Sequence, residues 1–425
     1  MNIPGYGLMA IFFRSILNRF KLIRFFRSPT PNVLPNILHI THSWGGGIER
    51  YLSDLKEVLE DHYNFFLLRS NGRDMILEYT KQGKQQKVVF KLAFPVTILD
   101  FYNLDYQRII SNILLEYNIR IVHIESMVGH TFDVFRNSRE KSIPVILTVH
   151  DFYYICPTFH LVDKTGVFCN GCKLGDEREG CLLDHPYVSC PDFDDDMLFN
   201  WRNTFLKAIS CVDLFIFPSV SAKNIFSAYY LINDAKIRII SHGSNACNET
   251  LPPLSKAHES LRVGILGSIY KHKGEALLGK LLDNMVKDDI HFYSFGHSNL
   301  KSRNLTHFGS YTQEELPGLL RDHPVDVMLL LSTWPETFSY TLSESIAAGV
   351  PPIVTNLGAQ KERIEDSQIG WIVDYKSPEK IVALLRFLRQ HKEEIDHRRR
   401  RIKEYHLKSM EEMKEDYEKV YCSFI

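Results

Sequence analysis

No aspartate or glutamate precedes Glu49, whereas Arg14, Arg19, Lys21, Arg24 and Arg27 crowd the same stretch, so the chain opens on a cationic segment. That segment has no long apolar run either. Its longest, Leu8 to Phe13, is far short of the roughly 20 residues that a bilayer-spanning helix needs. A signal peptide is a poor match, because the basic residues follow the apolar run and no small-residue cleavage site succeeds it. Charge of one sign is not in excess: 50 lysines and arginines face 51 aspartates and glutamates, which removes the electrostatic reason to expect nucleic acid as a partner. Eight cysteines without a secretory signal read as thiols or metal ligands rather than a disulfide framework. No GxGxxG follows the first strand-like run of either half, which counts against a dinucleotide oxidoreductase.

What is present points to an α/β protein of two domains. The 425 residues exceed what one core usually supports, and 44% hydrophobic with 24% charged residues is ordinary globular composition. Short apolar runs recur at Ile37–Thr41, Ile121–Ile124, Pro144–Val149 and Leu214–Pro218, each followed by a helix-like stretch. A second set lies at Leu261–Leu266, His291–Phe295, Asp326–Leu331 and Pro352–Thr355. Runs apolar on both faces fit parallel strands covered by helices on each side. The expected organisation is a basic amphipathic segment at 1–30, a Rossmann-like domain at 34–243 with a Cys-rich insertion about 156–190, and a linker at 244–260. A second Rossmann-like domain follows at 261–400, and a terminal helix at 401–425 is expected to pack back on the first domain. Ligands of such sheets bind beyond the carboxyl ends of the strands.

The most informative segment is Leu330–Val354. A buried strand is expected to end near Ser332, Pro335 to force a loop, and a helix to run from about Tyr340 to Gly349 before Pro351. Backbone N–H groups around Phe338, Ser339 and Tyr340 would suit a diphosphate. Glu336 in the loop and Glu344 one turn into the helix offer two acceptor-only carboxylates to sugar hydroxyl groups, with a solvated loop acid and a solvated helix acid as the alternative reading.

The pattern of Glu336, Glu344 and the following Ala-Ala-Gly-Val-Pro resembles the donor-site signature of retaining GT-B glycosyltransferases of family 4. Gly358, Glu362 and Gly370-Trp371-Ile372-Val373 continue that likeness, which spans most of the chain from about residue 36. The resemblance implies GT-B architecture, two Rossmann-like domains facing a central cleft. It implies that Glu336 contacts the transferred sugar and Glu344 holds the ribose, with Phe338 and Ser339 at the donor. Gly45-Gly46-Gly47-Ile48-Glu49 resembles the first-domain glycine loop, which places Gly46 and Gly47 by the phosphate; a plain glycine turn is the alternative. In Gly267–Gly274, Lys273 takes the position of a diphosphate-binding lysine, while Ser268 stands where the family commonly has arginine and Lys271 is the nearest substitute. Solvated surface lysines are the alternative there.

Thr148–Phe152 resembles the family's His-containing acceptor-side loop, which makes His150 the residue expected to touch the donor sugar or the incoming hydroxyl; a core histidine satisfied by backbone is the alternative. Asp151, Glu125, His130 and His123 are further acceptor-side candidates. Cys169, Cys172, Cys181 and Cys190 have the number and first spacing of a structural zinc site, against free thiols. The resemblance implies no cofactor for the chemistry. The expected partners are a nucleotide-sugar donor, a glycan or lipid-linked acceptor and an anionic membrane surface. The first is used by the cleft, and the last is met by a Phe12–Ile23 helix on the inner, cytoplasmic face of the cell membrane, unless that helix packs on the protein itself. Bacterial polysaccharide or lipopolysaccharide biosynthesis is the expected setting. A catalytically silent nucleotide-sugar-binding partner and a sugar-nucleotide epimerase are the rival readings.

Overall fold

The computed structural model describes residues 34–97, 99–172, 195–244 and 260–425. The amphipathic segment at 1–30, nearly all of the connector at 244–260, and Cys181 and Cys190 lie outside these residues.

The first sheet has eight strands: β1 (Asn36–His42), β2 (Asn64–Ser70), β3 (Asp74–Lys81), β4 (Lys84–Lys91), β5 (Ile119–Ile124), β6 (Val145–Thr148), β7 (Leu214–Phe217) and β8 (Ile237–Ile239). Their order is β4-β3-β2-β1-β5-β6-β7-β8, parallel throughout except where β3 joins β2 and β4 antiparallel. The second sheet holds β9 (Leu261–Leu266), β10 (Ile290–Phe295), β11 (Leu305–Gly309), β12 (Val327–Leu330), β13 (Pro352–Thr355) and β14 (Trp371–Val373) in the order β11-β10-β9-β12-β13-β14, all parallel.

Chemistry sorts central from edge strands. β6, β7, β12 and β13 are buried at every position, as unbroken apolar runs between two helical layers must be. β3 and β4 alternate or lie exposed, and a two-residue turn joins them at Gln82 (φ 53°) and Gly83 (φ 72°). Positive φ at both positions gives the turn whose twist matches a hairpin. This edge escaped the apolar-run criterion, because its strands read as polar and charged.

Four helices frame the site: α1 (Gly47–Leu59) after β1, α2 (Tyr340–Ala347) after β12, α3 (Gly358–Glu365) after β13, and the terminal α4 (Met410–Cys422). Ser409 and Glu412 form a reciprocal capping box that starts α4. It lies across the first sheet against α1, burying Met413, Tyr417, Val420 and Tyr421. Burial of Met413 and Val420 stabilises this return by roughly 1.5–3 kcal/mol each. The Tyr51 hydroxyl of α1 donates to that of Tyr417 at 2.7 Å. Among the described residues, no helix is long and apolar enough to cross a membrane.

Candidate functional site

Loops at the carboxyl ends of β1 and β6 meet the loop that follows β12. The Thr337 hydroxyl donates to the His150 carbonyl at 2.8 Å, and a Cβ added to Gly47 would stand 3.9 Å from the Tyr340 ring. Gly45 and Gly46 have φ of +76° and +85°, and Gly46 is the N-terminal flank of α1. A Cβ on either would meet nothing within 4 Å, so backbone conformation rather than crowding calls for glycine there, and the space above stays open.

On the other side of this junction, β12 ends at Leu330 and α2 begins at Tyr340. Glu336 is only 5% exposed. Lys273 Nζ lies 2.7 Å from its Oε1, and the Ser332 hydroxyl donates to the same oxygen. Burial pushes this carboxyl up, but the Lys273 ammonium and hydrogen bonds from Lys273, Ser332 and Ser339 leave it below the ordinary glutamate value. Glu344 is 8% exposed; Arg50 Nη1 donates to its Oε1, and the Tyr311 hydroxyl donates to Oε2 at 2.7 Å. Neither acid is solvated.

Arg50 comes from α1, one turn beyond Gly47. Its Nη2 donates to Gln313 Oε1 at 2.8 Å and its guanidinium lies 4.2 Å from the Tyr340 ring centre, a cation–π contact. Ser339 precedes α2 with φ 103°, a strained backbone for a residue with a Cβ. Gln360 Nε2 donates to its hydroxyl at 3.1 Å, Arg363 Nη1 to its carbonyl at 3.3 Å, and the Arg363 guanidinium lies over Phe338. Arg50, Tyr311, Gln360 and Arg363 were missed in the sequence. The usable signal was helical spacing: Arg50 stands three residues from Gly47, and Arg363 three from Gln360. Lys271 and Ser268 are exposed at the turn carrying Lys273.

Three of the acceptor-side expectations require correction. His130 is fully enclosed, with Nδ1 2.8 Å from the Tyr106 hydroxyl and Nε2 2.8 Å from the Thr41 carbonyl, so both ring nitrogens are spent inside the first domain's core. Glu125 is also enclosed, at 1% exposure. Its Oε1 lies 2.8 Å from His39 Nδ1 and its Oε2 3.0 Å from His150 Nε2. His123 is equally enclosed, its Nδ1 and Nε2 each 2.8 Å from a hydroxyl, of Tyr421 and Thr148 respectively. The three meet through strand geometry: His39 and His123 are register partners in β1 and β5, and Glu125, two residues on, shares the face of His123.

Burial raises the Glu125 carboxyl well above its usual value and lowers the His39 and His150 imidazoles to about 3. Asp151 is half-buried, accepts from the Tyr153 N–H at 2.9 Å, and is raised to about 6 by burial. Among the described residues, His39, His123 and Glu125 are the one converging group of metal-ligand types, but hydrogen bonds already engage the converging atoms. Cys169 Sγ donates to the Leu161 carbonyl at 3.0 Å and stands beside Cys172 and the buried Cys156. Cys181 and Cys190, the other two residues of the four-cysteine zinc expectation, lie outside the described residues.

Residues 45–246 match the family described as Glycosyltransferase Family 4, and residues 253–408 match Glycosyl transferases group 1. The chain is 22% identical over 364 residues to an uncharacterized 41.2 kDa protein in the cps region of Klebsiella pneumoniae, covering 82% of this chain and 89% of that one. It is 22% identical over 237 residues to the putative colanic acid biosynthesis glycosyl transferase WcaC of Escherichia coli K12, covering 54% and 56%. Anabaena HepE, solved in complex with UDP-glucose, superposes with a TM-score of 0.58 at 12% identity, over 91% of this chain and 99% of that one.

Proposed function

We propose, since this chain belongs to the group 1 glycosyl transferases of GT-B fold, that it moves a hexosyl group from a nucleotide-sugar donor to a glycan or lipid-linked acceptor with retention of anomeric configuration. The observation that carries this reading is the burial of Glu336 and Glu344 around the start of α2, against the glycine loop of the other half.

The donor diphosphate lies at the N-terminus of α2, where unpaired N–H groups and the helix dipole favour negative charge. Lys273 contributes a point charge to it. With Ser268 at the family's arginine position, Arg50 and Arg363 are the guanidinium groups that reach the start of α2. Glu344 accepts from the ribose hydroxyl groups, and Glu336 from those of the transferred sugar. The bond from the anomeric carbon to the diphosphate oxygen breaks, and the acceptor oxygen bonds to the same face of that carbon. The acceptor proton passes to the departing phosphate oxygen, so no metal and no dedicated base enters the scheme. The chain supplies positioning and stabilisation of charge on the leaving group.

Relatives named for a cps region and for colanic acid biosynthesis support bacterial polysaccharide or lipopolysaccharide assembly as the setting. A panel of nucleotide sugars with lipid-linked acceptors, followed by proton NMR of the product, tests the whole reading. Donor consumption with retained configuration is expected. Inversion removes the mechanism, donor binding without turnover makes the chain a silent partner, and conversion of the donor's sugar without acceptor makes it an epimerase.

The cationic N-terminus is the proposed membrane contact on the cytoplasmic leaflet, resting on Arg14, Arg19, Lys21, Arg24 and Arg27 beside the apolar Phe12, Phe13, Ile16, Leu17, Phe20 and Ile23. Each basic residue near an anionic leaflet contributes roughly 1 kcal/mol, weakening with salt. Deletion of residues 1–30 is expected to abolish co-sedimentation with anionic liposomes at low salt while donor binding persists. Equal co-sedimentation of the truncated chain would locate the contact elsewhere.

A further inference from the structure

We infer that Glu125 is a positioning residue: as the neutral acid it donates from Oε2 to His150 Nε2, and so holds the His150 ring in the tautomer that offers Nδ1–H as a donor to the cleft. The inference rests on the proposed function for the assignment of His150 to the cleft, but its own basis is the hydrogen-bond accounting beneath the site.

The groups around Glu125 include His39 of β1, His123 of β5, Thr148 and His150 at the end of β6, Tyr154 in the loop beyond, Tyr51 of α1, and Tyr417 and Tyr421 of α4. None is a lysine or arginine, and its ion-pair contacts among the described residues are imidazoles alone. An ionised Glu125 would therefore need a buried imidazolium. Burial disfavours charge on both partners, which supports the neutral pair.

One proton then belongs to the carboxyl, and the histidines decide on which oxygen. His39 Nε2 is buried without a partner. A buried N–H left unpaired is the rarer defect, so this nitrogen carries the lone pair and His39 Nδ1 carries the proton, donating to Glu125 Oε1 at 2.8 Å. His123 is satisfied separately by the Tyr421 and Thr148 hydroxyls. The carboxyl proton is left on Oε2, 3.0 Å from His150 Nε2. His150 Nε2 must accept it, which places the ring proton on Nδ1. Among the described residues, the one hydrogen bond of the His150 ring is at Nε2, which leaves Nδ1 without a protein partner. The His150 carbonyl is meanwhile held by Thr337, so ring and backbone are fixed together. A histidine in this tautomer donates to a sugar oxygen and does not remove a proton, in keeping with transfer in which the departing diphosphate takes the acceptor proton.

The test compares Glu125→Ala with Glu125→Gln. Glutamine keeps the shape, donates from its amide to His150 Nε2 and accepts from His39 Nδ1, so it preserves the tautomer. Glu125→Ala is expected to lower kcat by about 10–100-fold with donor Kd little changed, and Glu125→Gln to rescue it to within about threefold of the native enzyme. If Glu125 were instead an ionised partner of a basic His150, the glutamine would enforce the wrong tautomer. The corresponding amide replacement in the serine-protease triad lowers kcat by about 10⁴. A hundredfold or greater loss in Glu125→Gln, or none in Glu125→Ala, would overturn the inference. Nitrogen-15 NMR of the native full chain reads the His150 tautomer without any variant, and a proton on Nε2 would also overturn it. If no transfer occurs with any donor, the proposed function fails while the NMR outcome still decides the role of Glu125.

Discussion

Glu336→Gln is expected to reduce turnover by about 10²–10³-fold and to leave nucleotide binding within a few-fold, whereas Glu344→Ala is expected to weaken donor binding by about 10–100-fold. The two acids sit at opposite ends of the donor in the proposed scheme, so their kinetic signatures separate. Glu336 stands by the Lys273 ammonium, and in the proposed scheme its replacement removes a charge close to the reacting carbon. Those losses correspond to roughly 2.7–4 kcal/mol of transition-state stabilisation. In that scheme Glu344 contributes through ground-state recognition of the ribose, so its loss is expected in Kd and KM. It also holds Arg50, and the alanine variant would release that guanidinium from one of its anchors. Isothermal titration with nucleoside diphosphate, together with initial rates, provides both quantities. Native values for binding and turnover in both variants would refute the site.

Gly358→Ala is expected to be nearly as damaging, although residue 358 carries no side chain to lose. Its φ is +58°, and an added Cβ would stand 2.5 Å from the Pro335 carbonyl carbon and 2.6 Å from the Glu336 carbonyl oxygen. The methyl group cannot be accommodated without displacing the loop that presents Glu336, because both neighbours are backbone atoms. The left-handed conformation adds about 1–2 kcal/mol for a residue with a Cβ. The Ala359 N–H also donates to the Glu336 carbonyl at 2.8 Å, which couples the start of α3 to the same loop. A displacement near 1 Å at a reacting group costs about 10² in rate, so a loss of that order is expected with a lowered Tm. Gly318→Ala serves as the control: it lies in the helix Leu316–Asp322 and its added Cβ meets nothing within 4 Å. Full activity in Gly358→Ala would show that the loop does not position the chemistry.

Much of this architecture was legible because its signals are local. The unbroken apolar runs at β6, β7, β12 and β13 predict buried parallel strands, and Pro335 with Gly349 bounds the loop and α2. The β3–β4 hairpin was not legible, since an edge strand with a solvated face needs no apolar run. Glu125 and His130 show the opposite error. Both are expected on the acceptor side, yet both lie inside the fold, where neighbouring groups satisfy them. Sequence pattern gives the period of burial but does not identify which polar residue will find a partner in the core.

Local residue pattern suffices for the two α/β halves, the glycine loop, the acid pair around α2 and the family likeness that joins them. The partners come from the folded chain: Arg50 on Glu344 across the cleft, Lys273 on Glu336, and three imidazoles gathered around Glu125. Helix and strand periods arise from backbone geometry within a few residues, so they are written locally. The charge state of a buried acid depends on which groups remote stretches of chain bring within hydrogen-bonding distance, and on how much water their packing removes.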